Sequence, residues 1–274
     1  MDIKTIVKLA LKEDVPKGDI TTDVLISKNK IILAKFIAKE NGVVCGLDIA
    51  KLVFQQLDKK IKFVKNINDG QKVKNGQVIA TVKGKARVIL TCERTALNFL
   101  QHLSGIATLT RKFVDIIAQS HNRTTSKIYD TRKTIPLLRE LEKYAVRCGG
   151  GYNHRPNLSE MILVKDNHLK IIQDSEFRIE NLSKGKKVEI EAENLEQIKK
   201  FLKLNPDIIM LDNMNFGLMK KCINYIRKYS KCEIEISGNV NLKTIKKIAS
   251  LNSDRIAVGK ITHSASALDI SLEF

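Results

Sequence analysis

The order of helix-like and strand-like apolar patterns along this chain changes near residue 127. Ahead of that point, residues 4–12 put Ile6, Val7, Leu9, Ala10 and Leu11 on a helical repeat. Pro16 and Gly18 end it, and a turn is predicted at Gly18-Asp19-Ile20-Thr21-Thr22. Residues 31–39 alternate as a strand does (Ile32, Ala34, Phe36, Ala38), and 42–45 continue the sheet. Residues 48–57 read as a helix with Ile49, Leu52, Val53 and Leu57 inward. Further strands at 61–64 and 78–82 come with turns at Asn68-Asp69-Gly70 and Asn75-Gly76. The pattern predicts an α+β unit of about a hundred residues, helices packed on a four-stranded antiparallel sheet. A long helix-period region at 86–119 follows, with a break or kink expected at Ser104-Gly105.

From 127 onward the pattern becomes βα repeated. Strands read at 127–130, 161–164, 188–192, 208–211, 233–236 and 255–258. Helices read at 137–148, 194–203, 216–229, 241–250 and from about 264, and only 161–188 lacks one. Parallel strands in this number can curl into an α/β barrel, and a flat doubly wound sheet is the alternative. No GxGxxG follows the first of them, so a dinucleotide fold is unsupported.

The polar residues that punctuate this half carry the candidate chemistry. The strand at 127–130 runs into Asp130-Thr131-Arg132-Lys133. A helix then ends at three glycines, Gly149 to Gly151, ahead of Asn153-His154-Arg155. The strand at 161–164 runs into Lys165-Asp166-Asn167-His168. Residues just past the C-terminal ends of barrel strands face the active site, so cations gathered there point to a substrate with several negative charges. Glu189, Glu191 and Glu193 alternate and face one way. They lie either on a solvated edge or, if buried, against cations or a metal. Asp212 follows a fully apolar strand and is either a helix N-cap or a ligand. With Glu191 it could share Mg²⁺ or accept sugar hydroxyls. Ser237-Gly238-Asn239 and Gly259-Lys260, with His263 just beyond, end the last two strands. Glycines there let backbone N–H groups approach a phosphate, although either pair alone is also an ordinary turn. Cations early, carboxylates in the middle and phosphate loops late suit transfer chemistry on a phosphorylated sugar with a magnesium-bound leaving group.

Composition narrows the classes. The 274 residues are 43% hydrophobic and 28% charged, which places the chain among globular proteins. A net charge of +18 comes from 48 Lys+Arg against 30 Asp+Glu. It fits a lysine-rich solvated surface or a nucleic-acid binder, but no nucleic-acid-binding motif accompanies it. It also draws in small polyanions. Five widely spaced cysteines without a CxxC pair are expected to be reduced, as in a cytoplasmic protein. No signal-peptide pattern and no apolar run of membrane-spanning length is seen.

These residues carry a resemblance to the quinolinate phosphoribosyltransferases, the decarboxylating nicotinate-nucleotide pyrophosphorylases of NAD biosynthesis. It covers nearly the whole chain. It runs through GDITT at 18–22, DGQKVKNGQVIATVKGKAR at 69–87, ERTALNFLQHLSGIAT at 93–108 and DTRKTIPLLRELEKYAVRCGGGYNHR at 130–155. It continues in LVKDNH at 163–168, EIEAENLE at 189–196, IIMLDNM at 208–214 and VGKITHSASALDISL at 258–272. The resemblance implies an α/β enzyme with two domains. An N-terminal α/β sandwich domain would span 1–108. A partly open α/β barrel of about seven strands would span 109–274, its C-terminal tail packing back on the first domain. It implies transfer of phosphoribosyl from 5-phosphoribosyl-1-pyrophosphate to quinolinate, giving nicotinate mononucleotide, CO₂ and pyrophosphate. Mg²⁺ would be required, no organic cofactor would be, and homodimers or a hexamer of dimers would share active sites.

Carried over motif by motif, Arg94 would reach quinolinate in the partner subunit's site. Thr131, Arg132, His154, Arg155 and Lys165 would bind the ring carboxylates. Lys133 and Lys165 would neutralise pyrophosphate and carboxylate charge, and Glu191 and Asp212 would hold ribose hydroxyls and the metal. Ser237, Gly238, Asn239, Gly259, Lys260 and His263 would form the 5′-phosphate pocket. Asn239 stands where the family usually has glycine, and Lys260 where it has a small residue. Alternatives are a relative from molybdenum-transport operons, which generally lacks ERTALN and the Lys-Asp-Asn-His run, a nicotinate phosphoribosyltransferase, and a basic nucleic-acid binder on the same scaffold.

Overall fold

A computed structural model describes residues 2–119, 124–172 and 185–274. In chain order the elements are α1 (Ile3–Asp14), α2 (Ile20–Leu25), β1 (Ile31–Ala38), β2 (Gly42–Val43), α3 (Leu47–Leu57) and β3 (Lys62–Lys65). Then come β4 (Lys72–Val73), β5 (Val78–Lys85), α4 (Ala86–Ala118), β6 (Lys127–Tyr129), α5 (Arg139–Cys148) and β7 (Ile162–Val164). They are followed by α6 (Asp166–Ile171), β8 (Val188–Ala192), α7 (Leu195–Leu202), β9 (Ile208–Asp212), α8 (Phe216–Tyr229) and β10 (Glu233–Ser237). The last are α9 (Ile245–Ala249), β11 (Arg255–Ala257), α10 (Lys260–His263) and β12 (Ile270–Glu273).

Two compact units divide the chain. The first comprises Met1–Arg111, Thr134–Gly150 and Ser264–Phe274, and the second comprises Lys112–Lys133 and Gly151–His263.

The first unit is built on an antiparallel sheet in the order β12-β1-β5-β3. Its outermost strand, β12, pairs with β1 along Lys35–Ala38. Alternation along β1 buries Ala34, Phe36 and Ala38. Phe36 meets Phe54 of α3 and Phe63 of β3, with ring centroids 6.1 and 5.7 Å away, and this aromatic cluster anchors the core. The GDITT segment, predicted as a turn, opens α2 instead. Asp19 is the N-cap, accepting from the Thr22 N–H at 3.0 Å, and its other oxygen accepts from Thr91 on α4. Gly105 does not break α4, which is assigned continuously over 33 residues. A Cβ at Gly105 would stand 2.1 Å from the Ser266 carbonyl oxygen, so that glycine serves close packing of two backbones.

The second unit is a parallel sheet in the order β6-β11-β10-β9-β8-β7. Tyr152 adds a parallel bridge to Tyr129 on the outer side of β6, and the two rings stack at 5.5 Å. β8 is buried at every position, as an interior parallel strand should be. The short helix α6 fills part of the 161–188 interval, and residues 173–184 lie outside the described ones. The helix expected from about 264 is absent: α10 occupies 260–263, and 264–269 form neither helix nor strand. Among the described residues no helix is long and apolar enough to cross a membrane.

Candidate active site

Sheet register brings the polar strand ends to one level. Ala257 pairs with Tyr129, so Gly259 comes level with Thr131. Val164 pairs with Ile190, which sets Lys165 beside Glu191. Ser237 pairs directly with Asp212. A cavity of about 570 Å³ opens among these ends within the second unit.

The cations come from the exit of β6, from the segment 151–155 bridged to β6 at Tyr152, and from the exit of β7. Thr131, Arg132, Lys133, His154, Arg155 and Lys165 all line the cavity. Asp130, fully buried, holds the two loops together. One of its oxygens accepts the His154 backbone N–H at 2.8 Å and the other accepts from the Asn153 amide at 2.6 Å. Arg155 is half-buried, and its guanidinium also donates to the Met161 carbonyl at 2.8 Å. Burial and the neighbouring Arg132 charge push Arg155 below its ordinary value, and Glu189 pulls it back.

His154 is placed differently from a free carboxylate clamp. Its ring Nδ1 accepts the Arg155 N–H and its Nε2 lies 2.9 Å from Glu189 Oε2. That pair of contacts defines the Nε2–H tautomer and engages both ring nitrogens with the protein. Glu235 Oε1 stands 3.5 Å from the same Nε2. Glu189 Oε1 and both Glu235 oxygens are buried without a hydrogen-bond partner. Burial, then the adjacent Glu189 charge, raises the Glu235 carboxyl well above its ordinary value. A neutral acid at Glu235 beside a charged Glu189 avoids two bare anions in one apolar space.

The carboxylate wall comes from β8 and β9. Lys165 Nζ bonds Glu191 Oε2 at 3.0 Å. Burial pushes the Glu191 carboxyl up, Lys165 opposes this, and the nearby Asp212 adds to the rise. Glu191 is not among the cavity-lining residues and reaches the site through Lys165, whereas Asp212 lines it. The alternating glutamates of β8 therefore lie in an interior strand with cations or imidazole opposite, and Glu193 is exposed just past its end.

The exits of β10 and β11 supply Ser237, Gly238, Asn239, Gly259, Lys260 and His263 to the same cavity. Gly238 has φ 90° and Asn239 φ 53°. A Cβ at Gly238 would stand 2.3 Å from Asn213 Oδ1, so only glycine fits there. Asn239 sits in the left-handed region, which asparagine tolerates. Thr262 Oγ1 donates to the Lys133 carbonyl at 2.7 Å and ties α10 to the β6 exit. Lys133, Lys260 and His263 are exposed toward the opening.

Arg94 lies exposed on α4 in the first unit and is not part of the cavity lining. Two acids that matter here, Asp130 and Glu235, carry no role in the sequence reading, and Glu189 enters it only as one of the alternating glutamates at 188–193. The alternation Glu233-Ile-Glu235 on β10 repeats the signal seen on β8 and would have found Glu235.

Comparison with known proteins fits this geometry. A family described as "Quinolinate phosphoribosyl transferase, C-terminal domain" matches residues 106–273, and its N-terminal domain matches residues 19–104. A probable nicotinate-nucleotide pyrophosphorylase [carboxylating] of Methanocaldococcus jannaschii is 40% identical over 98% of this chain and 95% of its own length. A quinolinate phosphoribosyltransferase [decarboxylating] of Nicotiana tabacum is 37% identical over 99% of this chain and 82% of its own. The solved nicotinate-nucleotide pyrophosphorylase of Ehrlichia chaffeensis is 37% identical and superposes with a TM-score of 0.92, covering 100% of this chain and 98% of that one. Both domains, full-length relatives and an arrangement of polar strand ends around one cavity agree, and the chain belongs to the quinolinate phosphoribosyltransferase family.

Proposed function

We propose that this chain transfers the phosphoribosyl group of 5-phosphoribosyl-1-pyrophosphate to the ring nitrogen of quinolinate with loss of one carboxylate, giving nicotinate mononucleotide, CO₂ and pyrophosphate. The observation that carries the reading is one cavity lined by cations, carboxylates and glycine loops together. Guanidinium forks of Arg132 and Arg155 match two ring carboxylates bidentately. Holding both carboxylates aims the ring nitrogen at C1′. As the C1′–O bond to pyrophosphate breaks, Asp212 faces the positive charge that develops on the ribose, and Glu191 acts on it through Lys165. Lys133 takes up charge on the departing pyrophosphate. The quaternised ring then accepts the electron pair released when the 2-carboxylate leaves.

His154 acts as a post in this scheme, fixing the Arg155 backbone from behind. Ser237, Gly238 and Gly259 receive the 5′-phosphate, and Lys260 adds charge at its rim.

Mg²⁺ fits the donor set. Asp212 is half-exposed at the cavity, Glu191 keeps an oxygen not used by Lys165, and hard carboxylate oxygens with substrate phosphates are what this ion takes. Bound there by Asp212 and Glu191, it would supply charge neutralisation to the pyrophosphate. No organic cofactor is needed. The assembly is a homodimer, or a hexamer of such dimers, in which the exposed Arg94 of each copy serves the other's site. The five cysteines, all free in the structure, suit a cytoplasmic setting.

The test is purified protein with Mg²⁺, 5-phosphoribosyl-1-pyrophosphate and either quinolinate or nicotinate. Nicotinate mononucleotide with equimolar CO₂ from quinolinate is expected. Product from nicotinate alone, or from neither, overturns the assignment.

A further inference from the structure

Two cysteines of the first unit, distant in sequence, meet in space. Cys45 is fully buried where β2 passes into α3, and Cys148 is half-buried at the end of α5. Their sulfur atoms and an Asp69 carboxylate oxygen all lie within 4.8 Å of one another. Among the described residues no other cysteine belongs to such a cluster.

Both backbones are pinned. The Cys45 N–H donates to Ser104 Oγ at 2.9 Å, and that hydroxyl donates back to the Cys45 carbonyl at 3.2 Å. On the other side Gly70 lies so close that a Cβ there would stand 3.3 Å from the Cys148 carbonyl oxygen. The Gly70 N–H bonds the Val44 carbonyl at 2.8 Å, which closes the link back to Cys45.

Two readings of the cluster compete, a soft-metal site and a reactive dithiol. Asp69 decides between them. Its Oδ1 accepts the Leu47 N–H at 3.1 Å, and its Oδ2 accepts the Gly46 N–H at 3.0 Å and the Tyr144 hydroxyl at 2.9 Å. The carboxylate is thus spent on capping α3, whose own N-cap is a glycine with no side chain to offer. What remains is a thiol pair. The neighbouring Cys45 thiol draws Cys148 below its ordinary range, and Cys45 itself is pushed up by that same neighbour and by burial. Cys148 is also the less buried of the two residues.

We propose that Cys45 and Cys148 form a peroxide-sensitive dithiol site, with Cys148 as the attacking thiol and Cys45 as the resolving one. Cys148 sulfur attacks one peroxide oxygen, the O–O bond breaks, and sulfenic acid and water form. Cys45 sulfur then displaces the hydroxyl from Cys148, and its proton leaves with that hydroxyl as water. Two thiols lose two electrons to the peroxide, which is reduced to two waters.

The experiment uses the native reduced protein. Hydrogen peroxide is added, the reaction is stopped, and thiols are alkylated in denaturant before mass analysis. Alkylatable thiols should fall from five to three, with a mass loss of about 2 Da and one peptide pair joining Cys45 to Cys148. Dithiothreitol should restore all five. In Cys45→Ala, Cys148 should stop as a sulfenic acid trapped by a 1,3-dione, and in Cys148→Ala no Cys45 adduct should form. All five thiols staying alkylatable, a bridge through another cysteine, or the same bridge only after unfolding overturns the proposal. So does one zinc per chain that blocks the oxidation. The wild-type arm needs no variant to fold.

Discussion

At the exits of β6 and β7, the two edge strands of the parallel sheet, the charge is carried by long side chains, whereas at the exits of β10 and β11 the backbone does the shaping. The first wall is held by side-chain contacts: Asp130 on the His154 N–H, Glu189 behind His154, Glu191 against Lys165. The second wall is held by conformation, with Gly238 and Asn239 at positive φ and Asn213 facing them at φ 52°. The difference says where each wall can tolerate change. The first depends on charge and hydrogen-bonding groups, so isosteric substitutions discriminate there. The second depends on which residues accept a left-handed backbone, so identity matters less than conformational freedom.

The largest effect should fall on the first wall. Lys133→Ala should lower kcat by about a hundredfold or more, the scale of losing one preorganised charge in a transition state, with an unchanged circular dichroism spectrum. Wild-type turnover in that variant removes Lys133 from charge neutralisation. Next is Arg94→Ala, expected to raise the quinolinate KM by about tenfold or more. Mixed with Lys133→Ala under proven subunit exchange, it should regain part of the lost activity, because one site in the mixed dimer then has both residues. Absence of any regain breaks the shared-site arrangement.

On the second wall, Gly238→Ala should cost about 1–3 kcal/mol of strain and raise the KM for 5-phosphoribosyl-1-pyrophosphate more than that for quinolinate. Equal effects on both would place the loop elsewhere in the reaction. Asn239→Gly should be the mildest change on this wall, within about 0.5 kcal/mol by thermal unfolding.

The buried acids sharpen the contrast within the first wall. Glu189→Gln removes the negative charge behind Arg155 and should raise the quinolinate KM by about tenfold. Glu235→Gln imitates a neutral acid and should leave that KM alone. Its signature is in stability instead. Above the ordinary carboxyl value of 4.5 the unfolded chain has lost the Glu235 proton while the folded chain keeps it. Stability therefore falls with rising pH, by about 1.4 kcal/mol per pH unit, until the raised folded value is passed. Glu235→Gln should flatten that slope in urea titrations run across pH. An unchanged slope would show that Glu235 is ionised in the fold.

Much of this fold is written in local periodicity. The amphipathic repeats of α1, α3, α7 and α8 and the apolar run of β9 need no tertiary information. What stayed hidden depends on partners far away in sequence. GDITT looks like a turn because its helix is short, and it is stabilised through Asp19 by Thr91 of α4. Gly105 looks like a break until Ser266 is seen against it. The stretch after His263 has helical spacing, yet Leu268 donates its N–H to the Gln101 carbonyl and Ile270 begins a strand. In the site, strand ends pointed to the residues that reach the cavity opening. Glu235 lies deeper in its strand, and the pairing of Glu189 with His154 rather than with substrate depends on a tautomer that no pattern encodes.

The pairing of β12 with β1 has a consequence for how the protein is made. Lys39 and Glu273, ion-paired where these strands meet, are separated by 234 positions. At ordinary translation rates, β1 emerges from the ribosome roughly ten to fifty seconds before its neighbour exists. During that interval its outer edge offers unpaired N–H and C=O groups to any other strand nearby. The nascent chain must therefore be shielded at an edge that the finished protein never shows, and slowing synthesis between β11 and β12 lengthens the exposure.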